Sequence, residues 1–249
     1  MSYLSLQDVS LSLGDTAILD RVSMSLDKGE FVSVLGPSGA GKSTILRVLT
    51  GSLAAQSGTI TCAGQPLARR NDRFAFMPQR DALLPWRRVI DNLTLGLEVQ
   101  GMTRKAARAR VMPHLAEFGL DGFERHYPAE LSGGMRQRAA LLRTVVQERA
   151  VQLLDEPFGA LDALTRLQMQ RWFEQRWQDA RWTTLLITHD VREAVALSDR
   201  IYVLSRRPAR VIADIPVPLP RPRLARAPCA KAHALEAQIL DILLHQTGE

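Results

Sequence analysis

Gly36, Pro37, Ser38, Gly39, Ala40, Gly41, Lys42 and Ser43, followed by Thr44, fit the pattern G-x-x-x-x-G-K-[ST]. Glycines at this spacing let successive backbone N–H groups curl around a phosphate, and a helix starting directly afterwards adds the partial positive charge of its N-terminus. A lysine at position 42 can then reach β- and γ-phosphates, and a hydroxyl at Ser43 can ligate Mg²⁺. Further along, two acids, Asp155 and Glu156, and one imidazole, His189, follow short apolar runs. Such residues at the carboxyl ends of parallel strands stand where open α/β sheets bind ligands.

The elements that must position these groups are legible around them. Residues 31–35 form a compact apolar run that feeds the glycine loop, as a buried parallel strand does, and Ile45 to Leu49 continues with helical spacing. Before them, Leu4, Leu6, Val9, Leu11 and then Val22, Met24 and Leu26 alternate as strand faces around a Gly14-Asp15 turn. From Asp81 to Val146 the period becomes helical over Val89 to Val99, Thr103 to Phe118 and Gly134 to Val146, punctuated by Gly101, Pro113, Gly119, Gly122 and Pro128. Apolar runs at 150–154, 183–187 and 201–204 then resume the strand pattern. No internal repeat is visible.

Gly36 to Thr44, Gln79, Leu131 to Arg138 (LSGGMRQR), Asp155 with Glu156, Gly159 to Asp162 (GALD) and His189 stand in one order. This order resembles the nucleotide-binding subunit of an ABC transporter over about Leu4 to Leu204. The discriminating element is LSGG, 90 residues after Lys42 and 23 before Asp155. The resemblance implies an α/β fold: a P-loop NTPase (RecA-like) core with an N-terminal antiparallel β subdomain and an inserted helical subdomain at about 81–146. It places a nucleotide-binding domain at 1–220, then a basic, Pro-rich tail with a short helix at 221–249. It implies ATP and Mg²⁺ as cofactors, with Ser43, Gln79 and Asp155 at the metal, Glu156 as general base, His189 at the γ-phosphate and Gln79 sensing metal and attacking water. Ser132, Gly133 and Gly134 precede a helix and would form a second anion site, although Ser-Gly-Gly could equally be an N-cap turn. In the family that site meets ATP held by the other subunit. Two chains would thus sandwich two ATP molecules head to tail, with Asp162 at their interface.

LLPWRRV at 83–89, DEPFGALDALTR at 155–166 and VPLPRPR at 217–223 resemble the nitrate/sulfonate/taurine group of importers. That resemblance implies uptake of a small solute, of the nitrate, sulfonate, taurine or pyrimidine-precursor class, through separate membrane permease subunits, with an extracytoplasmic binding protein acting indirectly. Leu83, Leu84 and Trp86 would dock a short permease helix, or instead belong to the helical core. The expected location is peripheral, on the cytoplasmic face of the inner membrane. The rival class is a soluble ABC-type ATPase acting on nucleic acid or ribosomes; its relatives carry long coiled coils or two motif sets, and this sequence has neither. Two positions depart from the family: Leu13 stands where many relatives stack an aromatic residue on adenine, and Gln152 interrupts the apolar strand before Asp155.

Composition sets outer limits. The chain has 249 residues, 46% apolar and 23% charged, and a net charge of +6, an ordinary balance for a globular protein with a packed core. Its longest charge-free run, Val48 to Ala68, is too polar to cross a membrane, and no signal peptide is evident. Cys62 and Cys229 lack metal-ligand spacing, as reduced cytosolic thiols do. Ser205 to Lys231 contains seven basic residues and one acid, so the rest is neutral overall, which argues against a nucleic-acid-coating domain. Six prolines in that segment predict extended, polyproline-like chain after a last strand at 201–204, either solvated or with Arg221, Arg223 and Arg226 near an anionic membrane face or partner. Leu235, Ile239, Ile242 and Leu243 mark an amphipathic helix able to pack back on the core.

Overall fold

The structure is a computed structural model that describes residues 2–67, 73–225 and 229–245. It opens with an antiparallel hairpin, β1 (Ser2–Leu13) and β2 (Thr16–Asp27), in which Leu4, Leu6, Val9 and Leu11 are all buried. The change of parity between Leu6 and Val9 is a register shift at Asp8, which adopts φ 49°, so one bulged strand replaces two short ones. β3 (Phe31–Leu35), wholly buried, leads through the glycine loop into α1 (Lys42–Leu49). β4 (Ser57–Cys62) and β5 (Gln65–Pro66) complete a four-stranded antiparallel sheet in the order β2-β1-β4-β5.

After β6 (Phe74–Met77) comes the helical part: α2 (Val89–Leu93), α3 (Leu95–Val99), α4 (Arg104–Val111) and α5 (Gly133–Val145). The helical run expected over Val89 to Val99 is broken in two at Thr94. The run expected from Thr103 stops at Val111, because Pro113 cannot continue an α-helix and a 3₁₀ turn, Met112–His114, takes over. Leu83, Val89, Leu93, Leu97, Val111 and Phe118 join one core with Phe31, Leu154, Phe173 and Leu186, so the helical insertion and one face of the central sheet share a buried interior.

β7 (Val151–Asp155), α6 (Ala163–Ala180), β8 (Thr183–Ile187), α7 (Val191–Leu197), β9 (Arg200–Leu204), β10 (Val211–Pro216) and α8 (Ala230–His245) finish the chain. The second sheet has six strands in the order β10-β9-β3-β8-β7-β6. β9, β3, β8, β7 and β6 are parallel, and only β10 runs against its neighbour. Its other face packs Val32, Val34, Val151, Leu153, Leu185 and Ile187 against α1 and the hairpin. The expected α/β class, with an antiparallel subdomain and a helical insertion, describes this architecture.

The basic segment departs from expectation. Residues 201–204 are not the last strand: β10 adds an antiparallel edge, and Leu19 bridges Ala209. Nor do Arg221 and Arg223 face solvent or a membrane. Arg221 lies 2.8 Å from Asp199 and 3.4 Å from Glu174, with its guanidinium 4.2 Å above the Trp177 ring. Arg223 donates to the carbonyls of Leu219, Val217, Val195 and Ser198. An aromatic ring, two carboxylates and four carbonyls thus hold what the proline content alone read as free chain; Arg226 lies outside the described residues. α8 packs back as its pattern predicts, with Ile239 fully buried and Leu235, Ile242 and Leu243 against α7 and β10. Gln152, also fully buried, donates from Nε2 to Arg149 O at 2.9 Å, and among the described residues its Oε1 has no hydrogen-bond partner.

Candidate functional site

Parallel strands end on a common edge, and here that edge collects the chemistry. Gly36 follows β3, Gln79 lies two residues beyond β6, Asp155 ends β7 and Glu156 follows it, and Thr188 and His189 follow β8. Since β8 lies between β3 and β7, the three central contributions come from adjacent strands.

The glycine loop is shaped by Gly41, which has φ 118° and caps α1 without a side chain. A Cβ there would stand 3.1 Å from Ile18 Cγ2 and 3.3 Å from Ile18 O, so both conformation and space demand glycine. Thr44 N and Ile45 N bond back to Gly41 O. The first amides of α1, at Lys42 and Ser43, have no intrahelical acceptor and remain as donors. Lys42 is buried, and Nζ donates to Gly36 O at 2.8 Å and Pro37 O at 2.9 Å. Burial pulls its pKa down, while Glu156 and Asp155 push it back up. Ser38 and Gly39 are exposed, and Ala40 is buried behind them.

Asp155 is 4% exposed. Burial raises its pKa first of all; a hydrogen bond from Ser43 and the charges of Lys42 and Arg47 lower it, and Glu156 raises it again. Among the described residues, its Oδ1 is buried without a hydrogen-bond partner. Glu156 occupies the left-handed region at φ 49°, a costly conformation for a non-glycine residue. Its N–H donates to Ile187 O at 2.8 Å, locking the turn to β8. The carboxylate then sits between two of the predicted partners: Gln79 Nε2 donates to Oε2 at 3.2 Å, and His189 Nδ1 lies 3.2 Å from Oε1. His189 is mostly exposed.

Ser132, Gly133, Gly134 and Asp162 are not brought into this cluster. Among the described residues, no hydrogen bond or ion pair joins them to residues 36–44. Ser132 Oγ accepts from Met135 N at 3.2 Å, capping α5 as the N-cap reading holds. A Cβ on Gly134 would lie 3.6 Å from Leu161, so this turn packs beside the loop that carries Asp162. Asp162 caps α6 by accepting from Thr165 N at 3.0 Å; a hydrogen bond from the Thr165 side chain first, and this backbone bond next, lower its pKa. Leu83 joins the helical core, 7% exposed, whereas Trp86 is 72% exposed. Leu13 ends β1, exposed.

Sequence reading missed the groups that hold the cluster in place. Gln137, buried on α5, donates from Nε2 to both Glu156 O and Pro157 O at 3.0 Å. Arg136 bonds Asp81 Oδ2, and Arg143 donates to Asp81 O and Ala82 O, so α5 also grips the segment after Gln79. Linear spacing does not single these three out, since α5 also carries Arg138 and Thr144; only the fold decides which of its polar side chains meet the loops. Glu193, on α7 behind His189, accepts from Gln170 Nε2 at 2.8 Å; burial raises its pKa to about 6 against the hydrogen bonds from Thr188 and Gln170.

Comparison with known proteins adds independent findings. Residues 19–159 match the ABC transporter family model. The aliphatic sulfonates import ATP-binding protein SsuB of Pectobacterium atrosepticum is 43% identical over 98% of this chain and 88% of its own. The formylaminopyrimidine import ATP-binding protein ThiZ of Halalkalibacterium halodurans is 39% identical over 86% of this chain and 84% of its own. Among solved structures, a dimeric ATP-binding cassette in a post-hydrolysis state with ADP and Pi superimposes with a TM-score of 0.78 at 26% identity, covering 86% of this chain and 98% of that one.

Proposed function

This chain belongs to the ABC transporter family as an ATP-binding and ATP-hydrolysing import subunit, and from that premise we propose how its residues divide the task. The observation that carries the proposal is the placement of the Glu156 carboxylate between Gln79 and His189, beside the loop that Lys42 serves. Residues 36–44 wrap the phosphates of ATP with backbone N–H groups, and Lys42 exchanges its loop carbonyls for the β- and γ-phosphates. Glu156 orients and deprotonates the attacking water, Gln79 holds that carboxylate from one side, and His189 holds it from the other while reaching the γ-phosphate.

Mg²⁺ fits the donors present. Asp155 offers a buried oxygen without a partner, the Ser43 hydroxyl lies against the same carboxylate, and Gln79 is close by through Glu156. Among the described residues no group of three or more His, Cys, Asp or Glu could cage a metal, and Mg²⁺ characteristically uses one or two carboxylates with substrate phosphates and waters. When bound, it supplies charge neutralisation on the β- and γ-phosphate oxygens.

Ser132, Gly133, Gly134 and Asp162 act across a head-to-tail dimer, which explains why one chain keeps them away from its own phosphate loop. Separate membrane subunits carry the solute, a reading that the import ATP-binding names of the related chains support, and Leu84 and Trp86 form the contact to them; among the described residues no helix is long and apolar enough to cross a membrane. The subunit sits on the cytoplasmic face of the inner membrane. The solute belongs to the small anions and pyrimidine precursors, with sulfonates foremost because related chains bear that name. Uptake of labelled alkanesulfonate, taurine, nitrate and formylaminopyrimidine by a strain lacking this chain tests the reading. Loss of one uptake, restored by the intact chain and not by Lys42→Ala, is expected; unchanged uptake of all four rejects this solute group.

A further inference from the structure

Two neighbouring charges of the basic segment, Arg206 and Arg207, are not used by the fold. Arg210 is paired with Asp20, Arg221 with Asp199 and Glu174, and Arg223 with Asp199. Arg206 and Arg207 are exposed and, among the described residues, make no ion pair. Their backbone is nevertheless firmly held. They lie in the turn between β9 and β10, where Ser205 N donates to Arg210 O, Ser205 Oγ donates to Arg206 O and Pro208 O, and Arg210 N donates to Ser205 Oγ. Ala209 exchanges hydrogen bonds with Ile18 and Asp20 on β2.

This anchoring sets both guanidinium groups beside the phosphate loop. Pro37, Ser38, Gly39, Ala40, Arg206 and Arg207 line a shallow pocket of about 600 Å³, and a Cβ on Gly39 would lie 3.9 Å from a terminal nitrogen of Arg207. Lys42 Nζ rests on the carbonyls of Gly36 and Pro37, so the amine destined for the terminal phosphates lies at the same end of the loop as this pocket.

We propose that Arg206 and Arg207 form a cationic rim on the phosphate loop that draws in and holds the triphosphate tail, making affinity depend on tail charge. Guanidinium suits phosphate oxygens through its planar fork of donors, and two unpaired charges beside a loop of converging N–H groups raise the local concentration of an anion. The inference rests on the assignment of residues 36–44 as the nucleotide site.

Calorimetric titration of the purified full-length chain with ATP and with ADP, at low and high ionic strength, tests it. R206Q/R207Q is expected to weaken ATP binding by about three- to tenfold at low salt, to weaken ADP less, and to converge on the parent at high salt. R206K/R207K, which keeps the charge, is expected to stay within about twofold. Both side chains are exposed, so thermal unfolding should be unchanged in either variant. Unchanged ATP affinity in R206Q/R207Q, or an equal loss for ATP and ADP that persists in high salt, overturns the rim. A parent chain that binds no ATP instead removes the nucleotide-site assignment itself.

Discussion

Glu156 combines a left-handed backbone, a main-chain bond to β8 and two side-chain partners on its carboxylate. Each of those constraints is a handle. Gln137 fixes the same turn from below through Glu156 O and Pro157 O, so Gln137→Ala should lower kcat by about tenfold through misplacement of the carboxylate while ATP affinity changes little. Parallel losses in kcat and affinity would instead mark Gln137 as a general packing residue. Gly41→Ala should abolish tight ATP binding, since the added methyl meets Ile18 and the required φ is 118°. Equilibrium titration measures this directly. At this scale the motif residues were legible because phosphate chemistry restricts them to a few types at fixed spacing. Gln137, Arg136 and Arg143 were not, because an internal polar contact depends on which strand end the helix faces, and linear spacing does not encode that.

Among elements, α7, which follows β8 after a short loop, carries a charge with a definite pH signature. Glu193 is nearly fully buried, faces Gln170, Thr188, Asp190 and Arg166, and has its pKa raised from 4.5 to about 6. The folded chain therefore holds this proton more tightly than the unfolded chain. Its contribution to stability is fully present below pH 4.5 and is lost as pH rises to about 6, by about 2 kcal/mol in all. Glu193→Gln should remove that share of the pH dependence between pH 4.5 and 6.5, measured as the difference in urea midpoints between variant and parent. Identical slopes in the two proteins would contradict it. Apolar runs such as 31–35, 150–154 and 183–187 were readable as strands because the strands they mark, Phe31–Leu35, Val151–Asp155 and Thr183–Ile187, are buried on both faces. The break at Thr94 and the pairing of β10 were not, since the first depends on local packing and the second on a partner strand that supplies the edge.

Across the whole molecule, the C-terminal segment straps the sheet to α6. Arg221 closes over Trp177 and bonds Asp199 and Glu174, the latter 3% exposed. Arg221→Met would leave Glu174 buried without its ion pair, and should cost roughly 3 kcal/mol, a fall in Tm of roughly 6 to 12 °C for a chain of this length. A change under about 2 °C would mean the strap contributes no stability. Composition placed this charge correctly in the sequence but misjudged its surroundings, because proline content describes backbone shape and says nothing of the carbonyls that capture an arginine. On the outside, Trp86→Ala should reduce permease-stimulated ATPase more than the ATPase of the isolated subunit, and equal losses would place Trp86 outside the docking face. The central claim, that one carboxylate positioned by Gln79 and His189 drives hydrolysis in a dimer, is tested most directly by Glu156→Gln. ATP turnover, ATP affinity and oligomeric state should be measured on the same preparation. The account predicts retained ATP binding, turnover reduced by about 100-fold or more and an ATP-dependent dimer that persists; turnover at the parental rate would contradict it.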